Sequence, residues 1–510
     1  MKTDSAATVS SWMATAEVPA EPTLNNNLET DVCIVGAGIS GLTTAYLLTK
    51  EGRKVVVLDD GPVAGGESSR TTAHLACEID DYYYDIEETF GEEGARLAYQ
   101  SHSTAIDIIE RIVREENIDC DFERLDGYLF GPPHQPTDVL DHELAAAHRA
   151  GFKSAEKVER APLQSFDTGE CLRFPNQGQF HPVRYFAALA EIITQRGGQI
   201  YTGAHVVTIK GGAEPYVETI DGKRVLAKQI VVATNSPIND RVHMHTKQAP
   251  YRTYVIGARV PKGSVTKALY WDTLDPYHYV RLQEEDDRDL LIVGGEDHKT
   301  GQANDMDARY ANLEGWAREL FPQIEAVEFR WSGQVMETVD GLAFIGHNAG
   351  DEDNVLIATG DSGMGMTHGT IAGLLLTDLI QGRENPWEEL YSPRRKTAGA
   401  AGEWVKENAN VAAQYKDLVT GGDVKSVDEI AAGDGAVVRR GLSKIAVYRD
   451  EAGALHECSA VCTHLGCIVH WNKGEKSWDC PCHGSRFGTD GHVLNGPAQQ
   501  PLAPIEESEG

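Results

Sequence analysis

The sequence predicts an α/β domain with an antiparallel-sheet subdomain, followed by a small all-β domain. Three observations support this prediction. A short apolar strand, a glycine-rich turn, a helix and a second strand follow one another over residues 31–58, which is the pattern of a βαβ unit. Strand-like runs at 252–260, 277–283 and 289–294 indicate the antiparallel sheet, and short strands with frequent turn residues after 421 indicate the all-β domain.

These signals divide the chain into four segments. Residues 1–30 lack hydrophobic periodicity and contain prolines, so we expect an extended N-terminal arm. Residues 31–395 hold the α/β domain, whose two subdomains are interleaved along the chain. A linker helix is predicted over 396–420, ahead of two adjacent glycines, and the all-β domain covers 421–510.

Charge and composition exclude several classes of function. The 510 residues carry a formal net charge of −32, and no stretch is rich in lysine and arginine. Nucleic acids and anionic membranes are bound through positive surfaces, so we expect neither as a partner. The first 30 residues hold one basic residue and no apolar run of signal-peptide length, and no segment is apolar over a bilayer's thickness. We therefore predict a cytoplasmic protein.

The glycine-rich turn carries the first candidate site. Gly36, Gly38 and Gly41 form a G-x-G-x-x-G motif directly after a strand and at the start of a helix. Such glycines allow a tight turn, close approach of a pyrophosphate to the backbone and close helix packing, with the phosphates at the helix N-terminus. Asp59 ends the second strand, where a carboxylate accepts hydrogen bonds from ribose hydroxyls. The motif predicts a dinucleotide site, with a purely structural turn as the alternative.

Two further segments indicate which dinucleotide binds. GGESSRTTAH at 65–74 and ATGDSGMGMT at 358–367, with the βαβ unit, make residues 30–395 resemble the D-amino acid oxidase/glycine oxidase family of FAD-dependent oxidoreductases. The resemblance implies an α/β FAD-binding domain, Rossmann-like in its βαβ unit, with an antiparallel-sheet substrate subdomain. It also implies that these residues contact FAD: Arg70, Thr71, Thr72, Gly360, Gly363, Met364, Gly365 and Thr367.

The sequence leaves the mode of flavin attachment open. His74 lies in a segment that resembles the place where some amine dehydrogenases of this family attach FAD covalently through histidine. The alternative is an ordinary histidine that lines the cofactor site. A second G-x-G-x-x-G motif is absent from the sequence, so a nicotinamide reductant is not expected.

The C-terminal domain carries two Cys/His boxes. Cys462 and His464 form a C-x-H box, and Cys480 and His483 form a C-x-x-H box. Two thiolates and two imidazoles are the ligands of a Rieske [2Fe–2S] cluster, although they also suit tetrahedral zinc. An extra cysteine in each box and the Gly-Ser after the last histidine make residues 420–507 resemble Rieske proteins. The resemblance implies these four residues as cluster ligands and a disulfide between Cys467 and Cys482.

A Rieske oxygenase is disfavoured. Such an enzyme also needs a mononuclear iron bound by two histidines and a carboxylate. His243 and His245 flank Met244 without a carboxylate partner at helical spacing.

The chain as a whole resembles bacterial flavoproteins that fuse an oxidase-type FAD domain to a C-terminal Rieske domain. The resemblance implies oxidation of a small amine or amino acid, with hydride transfer to flavin N5. One-electron transfer from the reduced flavin to the cluster would follow, and then transfer to an external acceptor, which is a carrier protein or O2. The alternative is a non-catalytic flavin and iron–sulfur protein that transfers electrons or senses redox state.

The substrate pocket is the least defined part of the prediction. In the amino-acid oxidases an arginine in the strand before an Asp-Gly segment anchors the substrate carboxylate, whereas here Val335 and Met336 occupy that place. The difference favours an amine over a simple amino acid. We consider these residues as pocket candidates, although alternation around 277–279 also fits an ordinary strand: Arg252, Tyr254, Trp271, Tyr277, His278 and Tyr279.

Overall fold

The computed structural model describes residues 6–132, 138–240, 242–396 and 399–505. The α-helices in these ranges are, in chain order, α1 Ser11–Thr15, α2 Ile39–Lys50, α3 Tyr83–Glu116, α4 Asp138–Ala150, α5 Pro182–Gln195, α6 Met306–Leu320, α7 Gly365–Gln381, α8 Glu388–Tyr391 and α9 Ala401–Gln414. Short 3-10 turns cover Glu67–Ser69, Met244–Thr246, Tyr415–Leu418 and Val427–Glu429.

The strands form four sheets. They are β1 Leu28–Val35, β2 Val55–Leu58, β3 His74–Leu75, β4 Glu123–Phe130, β5 Glu156–Val158, β6 Cys171–Gln179, β7 Gln199–Tyr201, β8 Val206–Lys210, β9 Tyr216–Thr219, β10 Arg224–Val232, β11 Gln248–Pro261, β12 Leu269–Asp272, β13 His278–Gln283, β14 Arg288–Lys299, β15 Ala326–Thr338, β16 Phe344–His347, β17 Val355–Thr359, β18 Asp434–Arg440, β19 Ser443–Arg449, β20 Leu455–Ser459, β21 His470–Asn472, β22 Ser477–Asp479, β23 Arg486–Phe487 and β24 Val493–Asn495.

The first sheet contains the predicted βαβ unit. Its parallel strands lie in the order β17-β10-β1-β2-β7, and β16 pairs antiparallel at one edge. Side chains that alternate along β1 belong to two different apolar clusters: Val32 and Ile34 lie in one, Cys33 and Val35 in the other. A strand that is buried on both faces is apolar throughout, which explains the unbroken apolar run in the sequence.

The second sheet is the expected antiparallel one, and it is larger than the sequence indicates. Its nine strands lie in the order β15-β11-β14-β13-β12-β4-β6-β3, with β5 beside β6, and only β12 and β4 pair in parallel. The runs at 252–260, 277–283 and 289–294 correspond to β11, β13 and β14. We did not predict β6, because Pro175 and Asn176 within it are turn residues, and Asn176 has a φ of 64°.

The predicted helices are present with shifted ends. Amphipathic periodicity in the sequence also predicts a helix near 91–117, whereas α3 begins at Tyr83 and has a non-helical residue at Gly91. The linker segment contains α9 followed by the 3-10 turn Tyr415–Leu418. None of the helices in the described ranges has the length and apolar character needed to cross a membrane.

The C-terminal part consists of two small antiparallel sheets, β18-β19-β20 and β21-β22-β23-β24. Its apolar core includes Cys462, Cys467, Cys480 and Cys482 together with Trp478. The cysteines of both boxes therefore lie inside this small domain, where its loops meet.

The N-terminal arm differs from the extended segment that we expected. Residues 11–15 form α1, and both Trp12 and Met13 are buried. The Trp12 indole N–H donates to the carbonyl of Thr71 at 2.7 Å, and the Ser10 hydroxyl donates to the carbonyl of Ser69 at 2.6 Å. Trp12 and Met13 alone do not form a hydrophobic periodicity, so the sequence did not predict a helix here. In the structure their buried side chains anchor the arm to the 65–74 loop.

Candidate functional site

A single large cavity contains most of the residues that the sequence predicts for the flavin. Its wall includes Gly36 and Gly38 of the glycine-rich turn. A Cβ on Gly36 would lie 2.2 Å from the carbonyl oxygen of Ala233, and one on Gly41 would lie 1.9 Å from that of Gly36. Gly41 does not line the cavity, since its task is to pack α2 against the turn. Helix α2 begins beside the cavity, and its N-cap residue is Gly38, which has no side chain. The Ser68 hydroxyl accepts from the N–H of Ile39 at 3.0 Å, and the N-terminus as a whole suits a pyrophosphate.

Asp59 lies at the cavity wall at the end of β2. Its carboxylate accepts hydrogen bonds from the backbone N–H groups of Ala37, at 2.6 Å, and Gly61, at 2.9 Å. Burial and the neighbouring Asp60 raise its pKa. The carboxylate is thus held rigidly at the place predicted for a ribose-binding acid.

The loop at 65–74 lies along the same cavity. Thr71 and Thr72 line it, as does His74. Both ring nitrogens of His74 have partners: Nδ1 lies 3.0 Å from the Thr72 hydroxyl and Nε2 lies 3.2 Å from the Val280 carbonyl. Burial lowers the pKa of His74 to about 3, so its imidazole is neutral.

Arg70 lines the cavity, but its guanidinium points away from it. This group donates to the Thr8 hydroxyl at 2.9 Å and to the Ser332 carbonyl at 3.2 Å, and lies 4.0 Å from the Glu475 carboxylate of the C-terminal domain. Among the described residues that line the cavity, Arg70 is the single arginine.

The late glycine-rich loop closes the opposite side. Gly360, Gly363, Met364 and Gly365 line the cavity, and α7 begins there without a side-chain cap. Thr367 does not line it, because its hydroxyl lies 2.9 Å from Nδ1 of His102 inside the protein. The N-terminus of α7 can therefore stabilise negative charge on a bound ring.

The pocket candidates separate into two groups. Trp271, Tyr277 and Tyr279 line the cavity. The other three candidates lie elsewhere: Arg252 is buried against Glu475 and Asp479, Tyr254 packs with His298 and Tyr310, and His278 pairs with Asp272 and stacks on Trp316. Each is polar and lies on a strand next to the cavity, but its side chain points to the other face of the sheet or to the domain interface.

The cavity wall holds six acidic residues that the sequence analysis does not name as site residues: Asp60, Glu67, Glu78, Asp80, Asp297 and Asp361. Four of them, Glu78, Asp80, Asp297 and Asp361, have raised pKa values and form the acidic wall. Burial raises the pKa of Asp80 to about 6, that of Asp361 to about 6 and that of Asp297 to about 7. Burial and nearby carboxylates also raise the pKa of Glu78. The close spacing of Glu78, Asp80 and Asp81 after the 65–74 loop was a signal that could have indicated this acidic wall.

One of these carboxylates is hydrogen-bonded to an aromatic residue, since the Tyr277 hydroxyl donates to Asp80 at 3.0 Å. The Thr253 and Tyr279 hydroxyls lie 2.7 Å apart in the same wall. Oδ1 of Asp297 is buried and has no hydrogen-bond partner among the described residues. The acidic wall thus carries a buried acceptor that a ligand could use.

The predicted cluster ligands come together at the edge of the C-terminal domain. The rings of His464 and His483 lie 5.0 Å apart, and the thiols of Cys462 and Cys480 contact each other. Nδ1 of His483 is buried and has no hydrogen-bond partner among the described residues, as expected for an atom that ligates a metal. The donor set of two sulfurs and two ring nitrogens fits the [2Fe–2S] cluster of a Rieske domain.

A disulfide joins Cys467 and Cys482, whose Cα atoms lie 6.5 Å apart. Their sulfurs and that of Cys480 lie within 4.8 Å of one another. The disulfide connects the two loops that carry the cluster ligands.

The two sites lie against each other. Residues of the C-terminal domain close part of the flavin cavity: Val493, Leu494, Asn495, Gly496 and Ala498. From the other side, His245 of the α/β domain packs on the candidate ligands, with its ring centroid 4.8 Å from that of His464 and 5.7 Å from that of His483. The sequence disfavours His245 as a ligand of a mononuclear iron, and only the fold reveals its contact with the cluster loops.

Comparison with known proteins agrees with this architecture. The family model "FAD dependent oxidoreductase" matches residues 31–379, and the model "Rieske [2Fe-2S] domain" matches residues 422–506. The chain belongs to the FAD-dependent oxidoreductases. Its cofactors are FAD and a Rieske [2Fe–2S] cluster, and it is an enzyme.

Relatives of this FAD-dependent oxidoreductase cover either the whole chain or its flavin part. YhfW of Bacillus subtilis (strain 168), named as a Rieske 2Fe-2S iron-sulfur protein, is 35% identical over 500 residues, which are 97% of each chain. Gamma-glutamylputrescine oxidoreductase of Escherichia coli (strain K12) is 27% identical over 71% of this chain and 85% of its own. The crystal structure of glycine oxidase from Geobacillus kaustophilus has a TM-score of 0.62 and 20% identity, covering 73% of this chain and all of that one, and shows a common fold.

Proposed function

We propose that this enzyme oxidises a small cationic amine at FAD and passes the electrons one at a time through the Rieske cluster to an external acceptor. When bound, FAD accepts a hydride from the carbon beside the amine nitrogen, and the cluster accepts single electrons. The observation that carries the proposal is the acidic wall of the cavity, Glu78, Asp80, Asp297 and Asp361, which no cation of the cavity balances among the described residues.

The negative charge of the cavity wall favours an amine over an amino acid as the substrate. Among the described residues, none of the four carboxylates forms an ion pair, and the positive charge of Arg309 does not offset the effect of burial on the pKa of Asp297. An ammonium group would supply the missing partner. The carboxylate of an amino acid would need a cationic anchor, but the guanidinium of Arg70 is held by Thr8 and Ser332 and faces Glu475. The place of the family's anchoring arginine holds Val335, which lines the cavity, and the buried Met336.

Asp297 is our candidate for the proton acceptor. An ammonium must lose a proton before its nitrogen lone pair can assist hydride loss from the adjacent carbon. Oδ1 of Asp297 is buried and has no hydrogen-bond partner in the part of the chain that the structure describes, and the pKa of about 7 suits a group that takes up a proton near neutral pH. Asp80 and its Tyr277 partner would then bind the cationic end of the substrate.

Anaerobic reduction of the flavin tests the proposal. Primary and secondary amines should bleach the flavin, and matched α-amino acids should not. Asp297→Asn should slow bleaching by about 10²–10⁴-fold, the usual contribution of general acid–base catalysis, whereas Asp353→Asn at an exposed site should leave it unchanged. Bleaching by amino acids but not by amines would contradict the proposal.

A second measurement tests the cluster. His483→Ala should abolish the EPR signal of the reduced Rieske centre, because one iron loses an imidazole ligand. Because Val493–Ala498 of the same domain lines the flavin cavity, FAD content should be measured in parallel. A full EPR signal in this variant would overturn the assignment of His483.

A further inference from the structure

The two candidate cluster histidines face the α/β domain and are shielded from solvent. His464 is 7% exposed and His483 is 6% exposed, and His245 covers both rings. The two candidate ligand imidazoles are therefore packed against the α/β domain.

Gln334 reaches from one site to the other. It lies on β15, lines the flavin cavity and is 1% exposed. Its Nε2 donates a hydrogen bond of 3.0 Å to the carbonyl of Gly484, the residue that follows His483. The Thr300 hydroxyl donates to its Oε1 at 3.3 Å, and its backbone N–H donates to Glu67 at 2.7 Å, so both ends of the side-chain amide and its backbone are fixed.

Gly484 allows the cluster loop to approach this closely. Its φ is 79°, and a Cβ at this position would lie 2.6 Å from Cβ of Pro250 and 2.8 Å from Nε2 of Gln334. Pro250 lies on β11, which pairs with β15. The backbone beside His483 thus lies against the two strands that form a wall of the flavin cavity, with no room for a side chain at Gly484.

We infer that Gln334 is a positioning residue for electron transfer between the two cofactors. Its amide holds the Gly484 carbonyl, and with it the His483 loop, at a fixed distance from the flavin cavity. Partners in the outer shell of a metal site fix the orientation of its ligands, and their loss typically lowers affinity or activity by about 10–100-fold. The inference rests on the proposed function, because it requires electrons to pass from flavin to cluster.

The step moves one electron from reduced FAD to the cluster, where one iron changes from the ferric to the ferrous state. The second electron follows once an external one-electron acceptor has reoxidised the cluster. No bond forms or breaks at Gln334, whose role is to keep the hydrogen-bonded contact closed.

The chain offers a matched control. Gln302 also donates from its side-chain amide to a carbonyl of the same cluster loop, that of Pro481, at 3.3 Å. Gln302 is exposed and does not line the flavin cavity. Removal of either amide takes away one hydrogen bond between the domains, but of these two glutamines only Gln334 also lines the flavin cavity.

The test uses the full-length holoenzyme and needs no substrate. The flavin is reduced anaerobically by a light pulse with deazaflavin and EDTA, and the reduction of the cluster is followed by its visible absorption and by freeze-quench EPR. We expect Gln334→Met to slow cluster reduction by at least about tenfold, and Gln302→Met to match the wild type.

The EPR spectrum of dithionite-reduced protein gives a readout that does not depend on turnover. Gln334→Met should keep its full spin content but show shifted g-values, because the carbonyl next to His483 has lost its donor. A wild-type rate with unshifted g-values in Gln334→Met would overturn the inference, and so would equal slowing in both Met variants. A wild-type cluster that stays oxidised beside photoreduced flavin would refute the proposed electron transfer itself, and the inference with it.

Discussion

Two regions of this enzyme contain clusters of carboxylates, and they shift the pKa values of these groups in opposite directions. In the flavin cavity, burial raises the pKa of Asp80 to about 6 and that of Asp297 to about 7. At the domain interface, burial alone would also raise the pKa of Glu475, but Arg70, Arg252 and Arg486 lower it to about 2.

At the domain interface, arginine side chains supply the positive charges that pair with the carboxylates. Arg252 lies 3.9 Å from Glu475 and 3.6 Å from Asp479, and Arg486 lies 3.3 Å from Asp479. The Ser332 hydroxyl and Thr8 also bond to Glu475. Carboxylates that are paired with arginines serve to hold two domains together, whereas an acidic cluster without paired cations is complete only when a cationic ligand binds.

The strongest test of this comparison is Glu475→Gln. We expect it to lower the free energy of unfolding by about 3–5 kcal/mol, because buried arginines lose their counter-charge. Scanning calorimetry measures the effect. The control is Glu457→Gln, which breaks a partly exposed pair with Arg440 and should cost less than about 1 kcal/mol. Equal losses of unfolding free energy in the two variants would show that the interface cluster stabilises the protein no more than a surface ion pair does.

Replacing a carboxylate of the cavity by its amide should have the opposite effect on the free energy of unfolding. Asp80→Asn removes one of several like charges around the cavity, so the substrate-free enzyme should unfold at an equal or higher temperature. Its KM for a cationic amine should rise by about 10–100-fold, since a hydrogen bond to a charged group contributes about 1.5–3 kcal/mol. A stability loss as large as that of Glu475→Gln would mean that the cavity carboxylates are structural.

Acid should affect the two regions in different pH windows. The cavity carboxylates have raised pKa values, so they take up protons as the pH falls through about 7 to about 6, and amine affinity should fall there. Glu475 has a depressed pKa, so its contribution to stability is complete above its usual value of 4.5 and is lost as the pH falls toward about 2. KM and unfolding temperature measured from pH 8 to pH 2.5 would separate the two; coincident transitions would argue against the comparison.

The smallest expected effect concerns the N-terminal arm. The Thr8 hydroxyl donates to Glu475 at 2.6 Å and accepts from Arg70 at 2.9 Å. Thr8→Val keeps the shape of the side chain and should cost about 1 kcal/mol, the net value of a typical hydrogen bond. The matched exposed substitution is Thr420→Val, whose hydroxyl bonds to Asp417 and Lys444 at the surface. If the two variants unfold at the same temperature, the arm does not reinforce the interface.

The sequence by itself determined the cofactors and the local motifs and strands that surround them. The G-x-G-x-x-G turn at Gly36, the acid at Asp59 and the two Cys/His boxes are local patterns, since backbone geometry fixes the spacing of groups that bind one phosphate or one cluster. The apolar strands of the first sheet were equally visible, because burial on both faces leaves an unbroken apolar run.

Only the tertiary structure decided what these sites contact. Asp80 and Asp297 meet in one cavity although more than two hundred residues separate them, and Gln334 meets Gly484 across two domains. Arg252 looked like a substrate ligand, yet it pairs with Asp479 of the Rieske domain. Such contacts depend on long-range packing, and a polar residue on a strand has the same local pattern whether it faces a ligand or another domain.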